Sequence, residues 1–322
     1  MGGPDGLYIS GNLFLAPAAG YTDSAFRSIC VEQGASLTFT ELVSAEALSR
    51  GVHGYEHLLR RAENEKTWAV QLFGASERAM AQAAASLAPY KPDMIDINSG
   101  CPVPKVTRIG AGAALMREPE KLMSIVEAVV ETSKKTLGGV PVSVKLRSGW
   151  DAASINFLEC ARAAVKAGAA FVSLHARTRA QGYSGKSCWR HIAELAAELP
   201  VPVAGSGDLF KAEDAARMLC ETGCAAVMFA RGSFGNPFIF SETKNLLTGK
   251  TAESPSAALR INTALRQLEI LARDIGEKSA CLEMRKVFCA YTKGLHGAAP
   301  LRARIVHAAT IDEYRSLLAA IT

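Results

Sequence analysis

Residues 93–106 read DMIDINSGCPVPKV, an apolar alternation that stops at Asn98 and passes through the small pair Ser99–Gly100 to present Cys101 against Pro102. A thiol has a reference pKa near 8.5, so without an activating base it stays protonated at neutral pH. A Cys so presented is either a small core residue or a functional thiol. The fixed φ of Pro102 helps to hold it. Gln71, Asn98, Lys145, Arg147, His175, Arg177, Asp208 and Arg231 stand in the same relation to other apolar runs, each at the run's carboxyl end. A cation inside such a run is costly to desolvate unless a polar or anionic partner meets it, so Lys145 either serves a ligand or pairs with Asp96 or Glu41. His175 is a satisfied core residue or a functional one. Its neighbours Arg177, Arg179 and the loop between Gly182 and Gly185 favour function.

Two further stretches, VAGSGDLFKAEDA and MFARGSFGNPFIF, share one design: a strand, a glycine-rich turn and a helix start. Backbone N–H groups at such turns and the positive ends of the helices that follow make an anion seat, so a phosphate-bearing ligand is expected. A donor at Gln71, a cation at Lys145, a histidine and close-approach backbone at APAAG suit a planar heterocycle. Flavin mononucleotide fits that set, as does a phosphosugar, and spacing does not separate them.

These residues need a scaffold that brings strand ends together. Eight short apolar runs, at 13–20, 37–43, 68–74, 94–100, 142–149, 171–178, 201–208 and 226–232, alternate with amphipathic helical patterns such as 76–88, 118–135 and 211–223. That alternation implies βαβ units and a parallel sheet, and eight units in about 220 residues match a (β/α)8 TIM barrel better than an open doubly wound sheet. In such a barrel the active site is built at the carboxyl ends of the strands. After TGKTAESPS (248–256) the pattern is helical, near 257–275, 280–294 and 301–320. The expected organisation is a catalytic barrel over 1–244 and a C-terminal helical bundle over 245–322.

The chain has 322 residues, 49% hydrophobic and 21% charged, an ordinary globular composition. No apolar run is long enough to span a membrane, and the first residues lack a secretory pattern, so a cytoplasmic location is expected. Eight cysteines without CxxC pairing read as reduced thiols. His53 and His57 are four apart, but HGYEH lacks the HExxH order. Cys220 and Cys224 fall on a helix face expected to be buried, and no metal is expected. The formal charge is +5, and from Asn245 onward eleven Lys and Arg face seven Asp and Glu, an excess that suits a polyanion.

Taken in order, APAAGYTDSAFR, QLFG, DINSGCPVPKVTRIGAGAALM, VSVKLRSGW, LHARTRAQGYSG, GSGD and ARGSFGNPFIF resemble the tRNA dihydrouridine synthase family, and EMRKVFCAYTKGL looks like its helical segment. The resemblance implies an FMN-dependent reductase that converts uridine in tRNA to 5,6-dihydrouridine with NADPH, without an obligate protein partner. It implies that Pro17, Ala18 and Ala19 pass beneath the flavin, that Gln71 and Lys145 bond its ring and that His175 lies beside it. Ser206, Gly207, Asp208, Ala230 and Arg231 would hold the ribityl phosphate end. Cys101 would be the catalytic acid, giving a proton to uracil C5 after hydride reaches C6. Asn98 would orient the base, with Arg177, Arg179, Arg285 and Lys286 among the RNA contacts and Arg108, Lys293, Arg302 and Arg304 as further basic candidates. Ser99, Ala176 and Ser206 depart from the family pattern, and substrate fit near Ser99 is the point most exposed to that. The rival readings are a small-molecule flavin barrel of the dihydroorotate dehydrogenase or ene-reductase kind, and a barrel that binds RNA without catalysis.

Overall fold

A computed structural model describes residues 9–52, 54–251 and 254–319. The strands are β1 (Leu13–Leu15), β2 (Leu37–Phe39), the two-residue β3 (Val43–Ser44), β4 (Trp68–Phe73), β5 (Met94–Ser99), β6 (Val142–Arg147), β7 (Phe171–His175), β8 (Val203–Ser206) and β9 (Ala226–Phe229). All pair in parallel. β1 pairs with both β2 and β9, and β2 also pairs with β4, so eight strands close into a barrel with β3 as a short extra pairing on β4. Each of the eight expected runs contributes one barrel strand, shorter than its apolar run because the polar carboxyl ends leave the ladder to form the mouth.

Alternation along the strands sorts the apolar side chains into two populations. Val70, Leu72, Ile95, Ile97, Val144, Leu146, Val172, Leu174 and Val227 point outward and pack beneath the helices. Phe14, Phe39, Ala69, Met94, Phe171, Ala204, Ala226 and Met228 point inward and fill the lower lumen, where the Phe14 and Phe171 rings lie 5.8 Å apart. Further up, the same inward register carries Gln71, Asp96 and Ser143, then Asn98, Lys145, His175 and Ser206. The lumen is thus hydrocarbon below and polar at the mouth.

The helices around the barrel include α1 (Ser24–Glu32), α2 (Ala45–Ser49), α3 (Glu77–Ala85), α4 (Pro104–Thr107), α5 (Pro119–Thr136), α6 (Phe157–Lys166), α7 (Trp189–Glu198), α8 (Ala212–Thr222) and α9 (Ile239–Leu247). α10 (Ala257–Ile275), α11 (Glu277–Tyr291), α12 (Ala298–Ile305) and α13 (Ile311–Leu318) follow. The helix expected over 301–320 is two, because Thr310 caps a new start by accepting the Glu313 N–H at 3.2 Å. These last helices share a core of Ile261, Leu268, Met284, Phe288 and Tyr314, which reaches the barrel through Ala25. Ion pairs fasten the junction: Arg266 meets Glu32 at 2.5 Å, and Arg60 meets Asp274.

Inside the barrel wall, Arg27 is fully buried against Glu65 at 2.7 Å, with further donors on the Thr22 and Arg60 carbonyls. Removing either partner would strand a buried charge. Among the described residues, no helix is long and apolar enough to cross a membrane. All eight cysteines are unpaired; Cys224 is buried as expected, but Cys220 is exposed, its helical position lying on the outer face of α8. His53 lies outside the described residues.

Candidate active site

A cavity of about 430 Å³ opens at the carboxyl ends of the strands, in the size range of small-ligand sites. It gathers Pro17, Ala18 and Ala19 on one wall, Asn98 and Cys101 on a second, Lys145 and His175 at its base, and Ser206, Gly207, Asp208, Ala230 and Arg231 on the far wall. Segments as distant in sequence as 17 and 231 meet because consecutive parallel strands all end on one face.

Cys101 is placed by a chain of buried side chains. The Gly100 and Cys101 N–H groups donate to Asn98 Oδ1 at 3.2 and 2.9 Å, and Asn98 Nδ2 donates to Gln71 Oε1 at 2.8 Å. Gln71 Nε2 donates to Asp96 Oδ2 at 2.5 Å, and Ser143 Oγ donates to Asp96 Oδ1 at 2.6 Å. Gln71 is completely buried, is absent from the cavity lining, and has its amide engaged by Asn98 and Asp96. Burial pushes the Cys101 thiol up despite a Val103 backbone hydrogen bond and the charges of Arg147 and Lys145, which keeps it protonated at neutral pH.

Cations dominate the electrostatics. Burial, first, and then Arg147 lower Lys145, whereas the buried Asp96 carboxylate, itself raised by burial, favours its charged form. Glu41, the other partner expected for Lys145, instead accepts the Gly20 N–H at 2.6 Å. Arg147 is buried, and desolvation brings it down to about 10. It donates to the carbonyls of Gly100 (2.7 Å), Thr178 and Gly182 (both 2.9 Å), tying the Cys101 turn to the loop after β7. His175 is held well below its ordinary value by burial and by Lys145, Arg147, Arg177 and Arg231, so it is a neutral imidazole.

The turns after β8 and β9 pack backbone against backbone: a Cβ on Gly232 would lie 2.0 Å from the Leu209 carbonyl oxygen, so only glycine fits. Asp208 adopts φ 57°, a conformation more tolerable for Asp than for most residues. Its carboxylate is only partly buried. Burial would raise it, but the Ser187 N–H at 2.8 Å and Arg177 at 2.6 Å outweigh that and leave it below its usual range. Arg231 stands 3.9 Å from Asp208 and lines the cavity. Ser206 directs its hydroxyl to the Met228 carbonyl at 2.9 Å.

The expected RNA contacts separate. Arg177 is 2% exposed, and its guanidinium is engaged by Asp208 and the Ser184 and Gly185 carbonyls; it positions the phosphate-type turn and does not face solvent at the rim. Arg179 lies at the rim with its guanidinium 4.5 Å from the Trp150 ring, and Arg117 approaches that ring at 5.1 Å. Arg285 turns to the Ala308 carbonyl at 3.3 Å. Lys286 is exposed and sits 5.2 Å from the Tyr21 ring, beside a second cavity of about 230 Å³ between barrel and helices. Ser99 is buried and points outward from the lumen, its hydroxyl unpartnered, so it offers a substrate no contact. Ala176 is likewise buried.

The sequence reading passed over three aromatic residues. Tyr183 is 57% exposed at the cavity edge, with Arg231 at 4.5 Å from its ring and Arg147 at 5.8 Å. Tyr21 stacks on Phe234 with ring centres 3.9 Å apart, closing the wall below Ala19. The only signal for Tyr183 was its place between two glycines. Nothing local marked the Tyr21–Phe234 pair, which joins opposite ends of the barrel sequence.

A closed parallel barrel thus gathers a thiol, a half-buried lysine, a neutral histidine and a basic glycine-turn wall around one mouth. Solved structures agree on the fold: histamine dehydrogenase from Rhizobium sp. 4-9 superposes with a TM-score of 0.59 at 16% identity, over 81% of this chain and 49% of that one. The 2-naphthoyl-CoA reductase complex gives 0.58 at 10% identity, over 75% and 50%. The family description "Dihydrouridine synthase (Dus)" matches residues 14–322, and the chain belongs to that family of enzymes. A "Probable tRNA-dihydrouridine synthase" of Treponema pallidum (strain Nichols) is 47% identical over 97% of this chain and 93% of its own length. A "tRNA-dihydrouridine synthase B" of Xanthomonas axonopodis pv. citri (strain 306) is 36% identical over 96% and 92%.

Proposed function

We propose that this enzyme reduces a uridine of tRNA to 5,6-dihydrouridine, with FMN as the bound cofactor and NADPH as the reductant. The observation that carries this reading is a single cavity with Cys101 on one wall and a cationic turn on the opposite one, with Lys145 lining it between them. Lys145, Arg147 and Arg231 surround the cavity with Asp208 the acidic residue lining it, so its chemistry suits an anionic ligand. The donor set fits FMN: Arg231 and the turns after β8 and β9 would hold the phosphate, Lys145 and His175 would lie against the ring, and the backbone of residues 17–19 would support it.

Bound there and reduced by NADPH, FMN would supply the hydride for uracil C6. Cys101, kept as a thiol by burial, would give its proton to C5. Asn98 keeps the Cys101 turn in place and presents its amide to the base. Lys145 stabilises negative charge in the cavity as electrostatics preorganised before the reaction. Because a uracil inside folded RNA cannot reach this depth, the base must leave its stack, at a cost of a few kcal/mol that binding of the tRNA body offsets. We assign that binding to the helical region that follows the barrel, over 245–322, together with Arg179, Arg108 and Lys286 at the junction and rim. Phosphate contacts of this kind weaken steeply with salt.

The test is mass-spectrometric mapping of dihydrouridine in unmodified tRNA incubated with the enzyme and NADPH. We expect one or a few positions to gain two mass units, and Cys101→Ala to lose 10²- to 10⁴-fold in rate, on the order of a general acid's contribution. No mass gain with flavin-loaded protein sinks the proposal, and full single-turnover reduction in Cys101→Ala removes Cys101 from its role.

A further inference from the structure

The chain of side chains below Cys101 has a direction, set at one end by backbone N–H groups and met at the other by a carboxylate. A primary amide has an acceptor end and a donor end, so Gln71 and Asn98 could each be inserted either way round. Two backbone N–H groups, of Gly100 and Cys101, require Asn98 to offer its oxygen. That leaves the Asn98 NH2 toward Gln71, which must offer its own oxygen there and its NH2 at the far end. The far end is Asp96, a fully buried carboxylate, which accepts and does not donate when ionised. The opposite order would set the Asn98 NH2 against two backbone N–H groups, with nothing to accept.

We propose that Asp96 is a positioning residue for Cys101: by accepting from Gln71 it anchors the far end of the Asp96–Gln71–Asn98 chain, in the order the Gly100 and Cys101 N–H groups require, and thereby holds the turn that carries the thiol. The proposal rests on the reading of Cys101 as the proton donor for its relevance to catalysis, though not for its structural content. Ser143 is the second half of the device. It donates to Asp96 at 2.6 Å, but a hydroxyl can reverse and accept, so it would tolerate an amide at position 96. Asp96→Asn then keeps its oxygen toward Gln71 and gives its NH2 to Ser143, and the order survives. Ser143→Ala alone leaves the carboxylate, and the order survives again. Only the double variant leaves residue 96 with a buried amide NH2 that has no acceptor, which weakens the anchor under Gln71.

The prediction is therefore non-additive. In the full-length protein, peptide-resolved alkylation by iodoacetamide reads access to Cys101, with Cys188 and Cys289 as internal references away from the chain. Asp96→Asn and Ser143→Ala should each change the Cys101 rate less than threefold. At one fixed pH the double variant should raise it roughly tenfold over Asp96→Asn, which carries the same loss of charge, as expected when the hydrogen bonds holding a turn are lost. A rise at Cys188 and Cys289 as well, or a double variant no different from the product of the singles, overturns the proposal. If the double variant does not accumulate folded, Asp96→Ala replaces it: a roughly tenfold rise at Cys101 over Asp96→Asn is expected, and no rise over Asp96→Asn, or an equal rise at Cys188 and Cys289, overturns the proposal. The labelling needs neither flavin nor tRNA. Wild-type protein that makes no dihydrouridine while the double variant shows the rise defeats the functional reading alone; wild-type activity with unchanged labelling defeats this inference alone.

Discussion

The lower and upper halves of one barrel lumen make opposite use of the same strands. Below, Phe14, Phe39, Met94 and Phe171 fill the interior with hydrocarbon and leave no group to titrate. Above, two to four residues further along the strands, Gln71, Asp96, Lys145 and His175 place polar groups at the mouth, where desolvation disfavours the charged forms of the last three. The lower layer gains stability from apolar burial, at about 25 cal/mol per Å². The upper layer gives some of it up to hold charge out of water in a fixed arrangement. Substitutions in the two layers should therefore fail in different assays.

The largest contrast is expected between chemistry and folding at the mouth itself. Cys101→Ala should leave the unfolding free energy within about 1 kcal/mol of wild type, because the side chain is small and only partly buried, while turnover collapses. Denaturant unfolding beside the tRNA assay checks it, and a large loss of stability would blur the division. Phe171→Ala, below, should do the reverse and destabilise by about 3–5 kcal/mol through the cavity it leaves, with the surviving folded protein still active. An inactive but stable Phe171→Ala protein would break the comparison.

On the far wall, Arg231→Ala should weaken flavin binding roughly tenfold to a hundredfold, as expected for losing a charge-assisted hydrogen bond, with little change in melting temperature. Fluorescence titration with FMN measures this. Unchanged affinity would place the phosphate elsewhere.

The smallest effect concerns a half-buried acid away from the mouth. Asp23 caps α1 by accepting the Phe26 N–H at 2.8 Å, and burial raises it to about 7 from 3.8, outweighing that bond and Arg27. Between those values the native state holds a proton that the unfolded chain has released, so this group's contribution is full below about 4 and is lost as pH rises through about 7. Asp23→Asn keeps a good cap and has no proton to lose. It should match wild type near pH 4 and exceed it by on the order of 1 kcal/mol at pH 8. A variant less stable at pH 8 than at pH 5, relative to wild type, contradicts the assignment.

Much of this was legible in the residues. Period two in the eight runs and helical spacing between them were enough for a parallel barrel, since strands covered by helices outside and packed side chains within need apolar residues on both faces. Polar residues closing those runs, Cys101, Lys145, His175 and Asp208 among them, marked the mouth. Other features were not legible. Arg177 and Arg231 look alike in sequence, yet one is buried beneath Asp208 and the other lines the cavity. Gln71 has the donors and acceptor of a ligand contact, but Asp96 and Asn98 engage them. The outward face of Cys220 and the break at Thr310 were missed because a helical pattern gives a face's identity less clearly than its period.

What the sequence determined by itself was a set of local preferences: which residues form strands, where turns need glycine, and which strands end on groups able to do chemistry. Tertiary structure alone decided which of those groups face one another and in what hydrogen-bonding order. Period and propensity act over a few neighbouring residues, whereas the environment of Arg177, Gln71 or Lys145 is set by side chains dozens of residues away that closure of the barrel brings into contact.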